Sequence, residues 1–114
     1  MSIKDQNQAK ELLQKATASI RNKNFQQAVQ LCQTLTNKYP DMAEGWHLRS
    51  LLAAQMNNLQ LSLETISKAI NLSPDNYPWI LHKIHALLHS GAQNSALELA
   101  LHTAKQDIDD SSIL

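Results

Sequence analysis

Residues 81–89 read LHKIHALLH and set His82, His85 and His89 at steps of three and four. On an α-helix those steps bring the three imidazoles onto one face. Neutral imidazole is a zinc ligand, and an i, i+4 pair such as His85 and His89 has suitable reach. Against a metal centre, the stretch holds no HExxH phrase, no cysteine and no carboxylate. Three ligands on one helix also span too much length to converge easily on one ion. Clustered histidines could instead charge together on mild acidification and act as a proton sensor. A third reading makes them polar residues on the wall of a binding groove. That reading is adopted, with the metal-sensing and pH-sensing alternatives kept beside it.

Other chemistry has less support. No Ser/His/Asp phrase, glycine-rich phosphate loop or paired-carboxylate phrase occurs. The stretch DIDD at 107–110 reads as a solvated helix end rather than a cation site. The expectation is a chain that is not an enzyme, with no catalytic residues, no metal and no cofactor.

The elements that position the histidines follow from composition and period. The chain has 114 residues, enough for one domain with a modest core. Ten basic residues balance ten acidic ones, which argues against a nucleic-acid partner. No apolar run follows the first lysine, and no stretch approaches the ~18 apolar residues of a membrane span. The single cysteine, Cys32, reads as a packed small hydrophobe in a reduced, cytoplasmic protein. Two glycines and three prolines leave little material for hairpins.

The chain repeats itself every 34 residues. Pro40 and Pro74 sit in the matching phrases NKYPDMAEGW and NLSPDNYPWI, and Ile108 takes the proline's place one step on. Ala28, Ser62 and Ala96 keep the same register. Helical periodicity predicts pairs at about 4–21 with 25–38, 42–56 with 59–72, and 77–90 with 93–106. Short polar turns split them. Asp41 with Glu44 fits a capping box, Pro78 a first helical turn, and Gly91 a C-terminal cap.

Helix pairs of this kind cannot bury their apolar faces alone, but a stack of them can. The chain resembles the tetratricopeptide repeat (TPR) family, whose pattern is W-x2-L-G-x2-Y, then A-x3-F, then P. The middle unit reads Trp46, Arg49, Ser50 and Ala53, then Ser62, Ile66 and Pro74. The first reads Leu12, Lys15, Ala16 and Ser19, then Ala28, Cys32 and Pro40. The third reads Ile80, Lys83, Ile84 and Leu87, then Ala96, Ala100 and Ile108. The usual leucine is replaced by Lys15, Arg49 and Lys83. Their stems could cover core while the charges point outward, or they could form a basic row. The resemblance implies an all-α, right-handed superhelical solenoid of three antiparallel helix pairs. It would form a single domain over 1–114, with units at about 9–42, 43–76 and 77–110.

The resemblance also implies a binding module whose concave groove is lined by the first helix of each unit. Carried over, the rows are Leu13/His47/Leu81, Gln14/Leu48/His82, Thr17/Leu51/His85, Ile20/Ala54/Leu88 and Arg21/Gln55/His89. The expected partner-binding residues are His47, Leu48, Leu51, Gln55, Leu81, His82, His85, Leu88 and His89. Relatives that bind acidic chaperone tails use a clamp of Lys, Asn and Arg. Those places here hold Leu13, Thr17, Leu48, Pro78 and His82, so clamp-type binding is rejected. The expected partner is a protein or peptide, or a catalytic domain in cis, with no nucleic acid and no membrane.

The last helix carries Leu97, Leu99, Ala100, Leu101 and Ala104, and residues 111–114 read as the start of a further unit. Either the chain is the N-terminal accessory domain of a longer bacterial enzyme, such as a sulfotransferase or glycosyltransferase, or the last helix pairs with a second copy as a homodimer.

Overall fold

A computed structural model describes residues 2–112, with side chains as far as Gln106. Six helices follow one another: α1 Ile3–Arg21, α2 Phe25–Lys38, α3 Ala43–Gln55, α4 Leu59–Leu72, α5 Tyr77–His89 and α6 Gln93–Ser112. They form three antiparallel pairs. α3 stacks on the first pair, touching both α1 and α2, and α5 stacks on α4. The molecule measures 40 × 34 × 20 Å.

Small residues set the spacing within each pair. Ala28, Ser62 and Ala96, one from each second helix, are all buried. A larger side chain there would push the paired helices apart and strain a close-packed core. Ser62 keeps its hydroxyl satisfied by donating to the Ser50 carbonyl at 3.0 Å. The continuous core lies under the first two units. Ala16, Ala28, Cys32 and Leu35 form its centre, and Leu12, Phe25, Val29 and Leu51 pack against it. Cys32 is buried, and burial pushes its thiol up to about 11, with the nearby Arg49 charge pulling the other way. It behaves as a small hydrophobe.

The turns inside the pairs repeat as closely as the helices. Lys23 and Asn57 have φ 60, and Gly91 has φ 86. These three residues are 34 apart and each reverses the chain in the left-handed region. The following amide closes the turn in every case: Asn24 N donates to Ser19 O, Asn58 N to Ala53 O, and Ala92 N to Leu87 O. Gly91 thus ends α5 as expected, and Pro78 lies in the first turn of α5.

Helix starts depart from expectation. Asp41 and Glu44 form no capping box. The N-cap of α3 is Met42, with no side-chain cap hydrogen bond. Ser2 caps α1 by accepting from Asp5 N, and asparagine caps α2, α4 and α5. Asn24 accepts from Gln27 N, Asn58 from Leu61 N and Asn76 from Trp79 N. Each such cap satisfies an amide with no helical partner, and is worth about 1 kcal/mol. α6 runs on as one helix to Ser112. Residues 113 and 114, and the side chains of DIDD, lie outside the described residues.

Lys15, Arg49 and Lys83 have three different surroundings. Lys15 is exposed and pairs with Glu11 at 3.5 Å. Arg49 is half-buried, donates to Thr36 Oγ1 at 3.3 Å and lies 5.7 Å from the Trp46 ring. Lys83 is half-buried.

Lys23 is exposed, and its left-handed φ costs a side-chain-bearing residue about 1 kcal/mol that glycine avoids. Glycine's larger backbone entropy in the unfolded chain offsets part of this. Lys23→Gly should therefore raise stability by about 0.5 kcal/mol, read as a small rise in thermal midpoint by circular dichroism. A fall would show that the turn is held by the lysine side chain.

Candidate functional site

α5 is the element on which the histidines converge. Asn76 fixes its start and Gly91 follows its end, so the helix presents 13 residues with the steps read from the sequence. Against α3 and α4 it leaves an open groove of about 620 Å³. Leu81, His82, His85 and His89 line one side of it with Pro78 and Ala86, and Ala54, Asn57, Leu59 and Ser62 line the other. No Lys, Arg, Asp or Glu is among these residues. Leu81 is 53% exposed, so the wall holds uncovered apolar surface.

The remaining expected groove residues are spread more widely. Leu48 is a correction: it is 8% exposed and belongs to the core, so it offers a partner almost no surface. Leu51 packs against the same core. Gln55 and Leu88 are exposed but lie off the groove lining. On α1, Leu13, Gln14, Thr17 and Arg21 share a separate shallow hollow of about 400 Å³, while Ile20 is buried. The expected rows are therefore not one continuous wall.

His47 reaches α5 through ring contacts. It stacks on Trp79 with centroids 4.8 Å apart and meets the edge of His82 at 6.0 Å. Trp79 was not expected in this role. Its only sequence signal is its register, 34 residues after Gly45, where a bulky ring replaces a glycine.

The environment holds two of the histidines neutral. Burial, helped by the charge of His82 and opposed by Glu44, takes His47 down to about 4. Burial, with His85 beside it, also lowers His82. At the outer end, His89 Nδ1 lies 3.2 Å from the His85 carbonyl. A carbonyl only accepts, so Nδ1 is the donor in this contact. Among the described residues, no three His, Cys, Asp or Glu side chains are grouped to hold a metal ion. No described helix is long and apolar enough to cross a membrane.

The lowered His47 value has a definite sign. Between pH 6.5 and about 4 the unfolded chain takes up a proton that the folded ring refuses, so stability falls as pH falls through that window. The loss is complete below about 4. Its upper bound is ~3 kcal/mol, reduced because the ring is only half-buried. His82 acts in the same direction. His47→Gln should flatten the dependence of thermal midpoint on pH across this window. Parallel curves for variant and wild type would contradict the assignment.

No family model matches the chain, and no curated protein matches it. Solved structures do. The MamA RS-1 ArsTM double mutant aligns with TM-score 0.82 at 17% identity, covering 93% of this chain and 60% of that one. An O-GlcNAc transferase mutant of Thermobaculum terrenum aligns with TM-score 0.79 at 23% identity, covering 92% of this chain and 20% of that one. The TPR2B domain of yeast Sti1, in its complex with pHsp70, aligns with TM-score 0.77 at 21% identity, covering 91% and 85%. The chain therefore spans less than two thirds of the first two. Matches at such identity carry the backbone arrangement alone, and with the 34-residue register and the three stacked pairs they lead to one conclusion: the chain is a protein of the tetratricopeptide-repeat fold.

Proposed function

We propose that the chain is a protein–protein interaction module that takes a peptide, a helix or a neighbouring domain in the groove along α5. The observation that carries this reading is the groove itself. It is open, lined by Leu81 and three imidazoles, and free of formal charge in its lining. An apolar wall gains by covering a partner's apolar side chains, and the imidazoles and Asn57 fix register through hydrogen bonds. The places of the carboxylate clamp hold Leu13, Thr17, Leu48, Pro78 and His82, so an acidic tail finds no lysine or arginine there. The protein acts by binding, not catalysis, and works in the cytoplasm, where the buried thiol of Cys32 stays reduced.

A second reading makes the chain an accessory domain of a longer enzyme, with the groove or an end of the stack packed on a catalytic domain in cis. The observation favouring it is the O-GlcNAc transferase match, in which this chain corresponds to only 20% of the other protein.

The test is a pull-down with the 114-residue chain as bait. His85→Glu with His89→Glu places two carboxylates on the groove wall. Both rings are exposed, so the fold should persist, as circular dichroism would verify. Capture of partners retained by the wild type should fall at least tenfold. Undiminished capture by the double variant would remove the groove from consideration.

A further inference from the structure

A hollow of about 200 Å³ lies where α2, α3 and α4 meet, and it shares no lining residue with the groove along α5. Cys32, Leu52 and Ala53 form its base and are 1%, 3% and 2% exposed. Val29 and Leu61 are half-buried on its walls, and Met56 and Asn58 stand exposed at its rim. Among the residues lining it, only Arg49 carries a formal charge.

Departures from the repeat pattern account for the empty space. The pattern puts leucine, tyrosine and phenylalanine at three of these places, and this chain has Arg49, Ala53 and Cys32 there. Two aromatic rings are thereby missing from one junction, and a close-packed interior does not make up such a loss by itself. One unit on, Ile66 and Leu87 stand in the places of Cys32 and Ala53, so bulk is restored. The missing volume is particular to the α2–α3–α4 junction. Arg49 is held beside it. Nη1 donates to Thr36 Oγ1 at 3.3 Å, and the Trp46 ring lies 5.7 Å from the guanidinium carbon. The charge is felt by Cys32 in the base, whose thiol burial pushes up to about 11 and so keeps neutral. Among the described residues no carboxylate lies within ion-pair distance of Arg49. Glu64 lines a neighbouring hollow, but together with Lys68, so it adds no net negative charge there.

We infer that this hollow binds a small carboxylic acid, whose apolar body fills the space of the missing rings and whose carboxylate pairs with Arg49. A guanidinium presents a fork of N–H donors that matches the two oxygens of a carboxylate. An apolar cavity of about 150 Å³ admits benzene, so this one takes a body of about six carbons with its carboxylate toward the rim. Asn58 adds a donor. Its Oδ1 is occupied by Leu61 N at 3.2 Å, which leaves the amide NH2 for the ligand. The neutral thiol of Cys32 does not repel the anion, and the Met56 thioether at the rim suits the edge of an aromatic ring.

Benzoate is the probe, titrated near neutral pH into the isotope-labelled full chain and followed by NMR amide shifts. Saturable shifts centred on Val29, Leu52 and Leu61 are expected. Benzyl alcohol, which keeps the ring without the charge, and acetate, which keeps the charge without the ring, should each bind more weakly by about tenfold or more. Arg49→Gln should weaken benzoate by a similar factor and leave benzyl alcohol unchanged. The buried Thr36 hydroxyl keeps its bond to the Cys32 carbonyl in that variant, so the fold should persist, as circular dichroism would verify. Cys32→Phe puts the pattern's ring back and should abolish binding of both; if that variant does not fold, Arg49→Gln still decides. Absence of saturation, benzoate binding indifferent to Arg49→Gln, or shifts centred on Leu81 and His85 would overturn the inference. So would an acetylated Gly-Gly-Leu peptide with a free carboxylate binding about tenfold more tightly than benzoate, since the site would then take a peptide terminus.

Discussion

A single helix pair in this chain cannot close its own apolar face, and the whole structure follows from that constraint. Each pair offers a slot between its two helices, and the first helix of the next pair fills it. Gly45 against Leu35 and Trp79 against His47 are two solutions to one packing problem. The apolar surface they cover is the main favourable term in the stack, at roughly 25 cal/mol for each Å² removed from water. Because each interface is local, stability accrues unit by unit rather than from one central core.

The same stacking places the groove and sets its electrostatics. α5 must lie with one face toward α3 and α4 in order to fill its slot. That orientation turns Leu81, His82, His85 and His89 toward the groove. It also half-buries His47 and His82, and burial keeps them uncharged. A neutral, partly apolar wall is thus a by-product of how the third unit docks.

Much of this was legible in the sequence, because a repeat states its register three times. The bounds of α2 and α4, Pro78 in the first turn of α5, and Gly91 after its end all follow from period and local backbone chemistry. Features that depend on how units meet were harder to read. Leu48 shares the helical face expected of the groove, yet α3 rolls far enough onto α1 and α2 to bury it. The Asp41–Glu44 pattern satisfies a capping rule, but α3 begins after Met42 and leaves Asp41 outside the turn. The asparagine caps were hidden in a composition read as generally polar. The partnership of His47 with Trp79 crosses a unit boundary, which no single-helix period can reveal.

The central claim is that each unit is completed by the helix that follows it. Native-state hydrogen exchange tests this most directly, because it reads local opening along the chain. α1 and α6 are the first and last of the described helices; α3 fills the slot beside α1, and no described helix fills the one beside α6. The account predicts strong protection through α2, α3 and α4, intermediate protection in α1, and the weakest in α6. Protection of α6 equal to or greater than that of α1 would contradict it.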